Sequence, residues 1–131
     1  MPPTDDPAIK NDERLLRRIH PEQIVADEKS GGYRVSSGAF NAVHMSVDLH
    51  SSLIAAGRDM TSCVRAHEGF GLVAITARLA REKGQAVYKE PVEGNDAHGI
   101  VEGKKPPSVK NAFTAQCEWV IDIRPAPPTK G

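Results

Sequence analysis

Arg17, Arg18 and His20, with Ser36 and Ser37 further along, are the residues best equipped to hold an anion. A guanidinium grips phosphate as a planar fork, and serine hydroxyls can complete such a pocket. The competing reading is a solvated cationic strand face with two serines at a strand end. A second set comprises Asp48, His50 and His98. A carboxylate beside an imidazole fixes its tautomer and raises its basicity, but spacing alone does not bring these three together. The candidates for catalysis are therefore His98, Arg18 and His20. Those for ligand binding are Arg17, Arg18, Ser36 and Ser37. Lys104, Lys105 and Lys110 read as a small solvated basic patch.

Other chemistries lack their patterns. Zinc sites use closely spaced ligand pairs, and Cys63 with His67 supplies two residues only. Gly69-Phe70-Gly71 lacks the third glycine of a dinucleotide loop, and no Walker-type lysine loop or nucleophile elbow occurs. No metal and no cofactor is expected.

Basic and acidic residues balance at 17 each. That argues against broad electrostatic binding of nucleic acid. No run is long and apolar enough to span a bilayer, and the proline-rich acidic start lacks the pattern of a signal peptide. Cys63 and Cys117 then read as reduced thiols in a cytoplasmic protein. A chain of 131 residues is expected to form one domain. Residues 1–12 and 125–131 read as disordered tails around a globular 13–124.

The elements that must position the candidates follow from periodicity. Residues 14–20 fit a strand split between apolar and cationic positions, with a short helix as the alternative. Pro21 opens a helical turn. Residues 33–37 and 44–49 alternate as strands, the second with His44, Ser46 and Asp48 on one face. Ser51 and Ser52 could cap a helix stopped by Gly57. The run from Leu72 is read as strand to about Thr76, then helix through Glu82. Gln85 to Gly103 reads as strand, turn and strand, with His98 opening the second strand. Ser108 is expected to cap a helix with Val109, Ala112, Phe113, Gln116, Cys117 and Val120 along one face. The residues from Trp119 to Ile123 could return to strand. The fold class is α+β: one domain, a mixed or mainly antiparallel sheet, and two or three helices.

Arg17-Arg18-Ile19-His20-Pro21, Ser36 to Phe40, Met45 to Leu49, Glu90-Pro91 and Asn95-Asp96-Ala97-His98 together resemble a group of small uncharacterised bacterial proteins. The resemblance implies a bacterial cytosolic origin and carries no activity. More remotely, the chain is similar to compact ADP-ribosyltransferase folds. In that likeness Arg18, Ser36 or Ser37, and His98 or Glu102 would fill the site positions, although the family's Ser-Thr-Ser run is absent. Two functions stay open. One is a binding or interaction module with a protein partner. The other is a small enzyme or receptor for a nucleotide or phosphorylated ligand.

Overall fold

The computed structural model describes residues 4–125. Six strands form one antiparallel sheet in the order β6-β7-β4-β1-β5-β8. They are β1 (Arg14–Ile19), β4 (His44–Leu49), β5 (Gly71–Thr76), β6 (Ala86–Lys89), β7 (His98–Glu102) and β8 (Glu118–Ile121). A separate hairpin pairs β2 (Ile24–Asp27) with β3 (Gly32–Val35). The helices are α1 (His50–Ala55), α2 (Ala77–Glu82) and α3 (Pro107–Gln116). The α+β class holds, with the sheet wholly antiparallel.

β1 is a strand because every one of its residues pairs with β5, from Arg14 with Thr76 to Ile19 with Gly71. Its neighbour on the other side is β4, where Leu16 faces Asp48. β5 lies inside the sheet, and Leu72 to Ile75 are all buried. That two-sided burial explains its unbroken apolar run. The Thr76 hydroxyl then accepts from the Leu79 amide and starts α2. Gly84 takes φ +76° just beyond the helix, where a glycine avoids the Cβ clash.

The sheet has two unlike faces. On one, Leu15, Ile19, Met45, Val47, Leu49, Val73, Ile75, Val87 and Val101 share a core with Phe40, Val109 and Phe113. Phe40 and Phe113 meet edge to face at 5.8 Å. On the other, Leu16, Leu72 and Ala74 pack under Leu53, Cys63 and Ala97. This smaller core covers the β1–β5 end. The β4-β7-β6 end of the same face carries polar side chains.

Several expectations need correction. Residues 5–12 belong to the packed domain: Ile9 is 3% exposed in the main core, and Asp5 accepts from Arg81 and from the Val87 amide. The tail from 126 lies outside the described residues. Ser51 does not cap α1; its amide and hydroxyl both bind Glu13. Pro106, not Ser108, occupies the cap position of α3, with Pro107 opening the helix. Proline suits that first position, because the amide it lacks has no helical partner there. Val120 belongs to β8 rather than to the helix face. Lys105 is not a solvated cation. It is 6% exposed, and its ammonium donates to the carbonyls of Val43, Val101 and Gly103. Burial pulls its pKa down to about 8.

Candidate functional site

The register places the polar residues on a grid. Across the face one row runs Ala74, Leu16, Asp48 and His98; beside it Arg18 pairs with Leu72 on β5, while Ser46, Ile100 and Tyr88 pair across β4, β7 and β6. Glu102 stands opposite His44 in the next row. All have the same strand parity, so all point to the same side.

Two networks occupy this grid. The buried one centres on Asp48, which is 3% exposed. Asn95 Nδ2 donates to Asp48 Oδ1 at 2.7 Å, and Arg58 donates to Asn95 Oδ1 at 3.1 Å. The Arg18 guanidinium lies 3.9 Å from Asp48 Oδ2 and donates weakly to the Cys63 carbonyl at 3.4 Å. Asn95 Oδ1 also accepts from the Ala97 amide, so it shapes the β6–β7 turn while tying that turn to β4. The Cys63 thiol is pushed up to about 12 by burial, then by the charge of Asp48. It is therefore a poor nucleophile.

The second network is exposed. His44 Nδ1 and Glu102 Oε1 are 2.8 Å apart, and His44 Nε2 lies 3.3 Å from Glu90 Oε2. The Tyr88 hydroxyl donates to Glu102 at 3.2 Å. Ile100, which pairs with Ser46 and Tyr88 on this face, is fully buried. His98 Nδ1 donates to the Glu90 carbonyl at 2.8 Å, which leaves Nε2 as its other polar atom. Burial, then Glu102, raises Tyr88 to about 12.

The His44 pKa is raised, first by the hydrogen bond with Glu102, and the Glu102 pKa is lowered, first by His44. The raised imidazole stabilises fully below its ordinary 6.5 and loses that contribution as pH rises through its folded value. The lowered carboxylate stabilises above its ordinary 4.5 and loses that contribution as pH falls through its folded value. The pair is thus strongest between those two ordinary values. Melting temperatures from pH 4 to 9 are expected to show wild type losing its margin over His44→Ala on the alkaline side. Parallel profiles would show that the pair contributes nothing.

The structure brings Arg18 and His98 together on one face, on either side of Asp48. It does not bring the other candidates to them. Arg17 alternates to the opposite face, where it donates to the carbonyls of Ala39 and Ser46. Burial, then the charge of Arg18, lowers its pKa. His20 is a cap: its Nδ1 accepts from the Glu22 amide, and its ring meets Phe70 edge to face at 5.0 Å. Ser36 caps the turn Ser37–Phe40. That turn packs over the main core, away from Arg18 and His98. The five-residue anion pocket and the ADP-ribosyltransferase-like constellation are therefore not assembled. His50 opens α1 and lines a different cleft, with Glu13, Arg14 and Ser51.

Sequence reasoning missed His44, Tyr88 and Glu90 as a cluster. The signal was partly visible, since His44 alternates with Ser46 and Asp48. What joins them is the pairing of β4 with β7 and of β7 with β6. Among the described residues no group of three or more His, Cys, Asp or Glu is arranged to hold a metal ion. Both His44 nitrogens face carboxylates of their own rather than a shared point. No helix of the described residues is long and apolar enough to cross a membrane. No protein-family model, curated protein or solved structure matches the chain.

Proposed function

We propose that this chain is a small bacterial, cytoplasmic binding module that acts on a partner protein. The recognition surface is the polar β4-β7-β6 face. One observation carries this reading: the cluster is held in place by its own pairings yet stays open to solvent. The side chains of His44 and Glu90 are 52% and 41% exposed, while Glu102, on the other side of His44, is 18% exposed. A surface fixed before binding loses little entropy on association. With two carboxylates against one imidazole, it suits a partner segment bearing arginine or lysine.

The second reading, a receptor or enzyme for a phosphorylated ligand, is favoured by Arg18 and His98 standing on the same sheet face as Asp48. The cavity beside Arg18, between β1 and β4, is lined by Leu16, Arg17, Arg18, Ser46, Val47 and Asp48 and measures about 10 Å³. That is room for one water molecule, not a nucleotide. A thermal-shift panel of nucleotides and dinucleotides separates the two readings. A ligand at 100 times its dissociation constant adds about 2.7 kcal/mol. The binding-module reading expects no shift. It also expects a photo-crosslinking residue at exposed Val92, in the turn beside Glu90, but not one at exposed Lys29, to capture a partner in cells. A nucleotide shift that disappears in Arg18→Ala would establish the second reading instead.

A further inference from the structure

β6 is an edge strand, and the outward hydrogen-bonding groups of Val87 at its centre are already occupied. The Asp6 amide donates to the Val87 carbonyl at 2.8 Å, and the Val87 amide donates to Asp5 Oδ1 at 2.9 Å. The Asp5 carboxylate stands in for the carbonyl that a paired strand would offer. Arg81 holds this segment down. Its Nε donates to Asp5 at 3.1 Å, one terminal nitrogen to Asn11 at 2.7 Å and the other to the Asp6 carbonyl at 2.9 Å. Covering an edge in this way keeps it from templating further strands.

We propose that the outer edge of β6 is a strand-pairing site for a second copy of this chain, masked in cis by Asp5 and Asp6. Val87 presents both of its backbone groups outward, so two copies related by a twofold axis can exchange two hydrogen bonds through Val87 alone. In that register Tyr88 of one copy lies opposite the small Ala86 of the other. Lys89 falls opposite Gln85, so no like charges oppose one another. Release of the segment would extend the sheet across the axis. This inference does not depend on the partner surface proposed above, which lies on a face of the sheet rather than its edge.

The test uses the full-length chain and Asp5→Ala, which removes the carboxylate without touching the core, with Arg81→Ala as a second variant. Circular dichroism confirms that each is folded. Sedimentation equilibrium then gives the dimer dissociation constant, and amide exchange of Val87 is followed against protein concentration. The expected result is dimerisation at least tenfold tighter than wild type, with Val87 protection that rises with concentration. A folded Asp5→Ala chain as monomeric as wild type would overturn the proposal. So would a dimer in which Val87 exchange is independent of concentration, because its interface would lie elsewhere.

Discussion

Asp48→Ala is expected to cost the domain roughly 2–4 kcal/mol, a large share of the 5–15 typical of a single domain. The carboxylate is buried, and it accepts from Asn95 while Arg18 lies alongside. Removing it strands the Asn95 amide group and leaves the Arg18 charge without its partner. The loss of those partners, rather than the small volume lost, sets the size of the effect. Asp48→Asn should be milder, because its side-chain carbonyl can still accept from Asn95. Arg18 keeps 35% of its side chain in solvent, so it can recover hydration once the charge opposite is gone. Chemical denaturation of the three proteins checks this ordering, and equal loss in both variants would refute the hydrogen-bond argument. Cys63 offers a second readout. In folded wild type it should resist alkylation, since the thiol is pushed up to about 12. It should become reactive in Asp48→Ala in proportion to transient opening of the network.

The same network shows how far the chain could be read in advance. Alternation from His44 to Leu49 predicts the observed strand residue for residue, because one face of β4 is buried and the pattern must obey it. The strand-to-helix change at Thr76 was legible because two periods meet at a capping hydroxyl. Long-range pairing was not legible. Nothing near Arg81 in sequence announces that it reaches Asp5, Asp6 and Asn11. Ile9, the one large aliphatic residue among acidic and proline positions, gives no periodic signal. Lys105 looked solvated because burial of a cation depends on three carbonyls supplied by strand ends and the adjoining turn. Arg17 and Arg18 looked like one cluster, yet adjacency in a strand guarantees opposite faces. The site was visible as residue types, and its membership was decided by register.

Phe113→Ala should produce the largest loss of stability, about 3–5 kcal/mol. The ring is fully buried, and its edge-to-face partner Phe40 lies in the turn that receives the Arg17 guanidinium. The deletion removes apolar burial, an aromatic pair and the packing of α3 on that turn together. For a chain of this length the melting temperature should fall by roughly 10–20 °C. Phe113→Leu, which keeps most of the volume, should cost about 1 kcal/mol. The consequence for function runs the other way. Phe113 lies on the helix-covered face, while His44, Tyr88, Glu90 and Glu102 lie on the opposite one. Below its lowered transition, Phe113→Ala should therefore retain the imidazole chemical shifts of His44 and His98. It should also retain partner capture through position 92. Glu102→Ala should do the reverse, disturbing the His44 resonance and weakening capture at a small cost in melting temperature. If the core variant scattered the histidine signals while still folded, the two faces would be one cooperative unit. The recognition surface would then draw its order from the helix layer rather than from its own pairings.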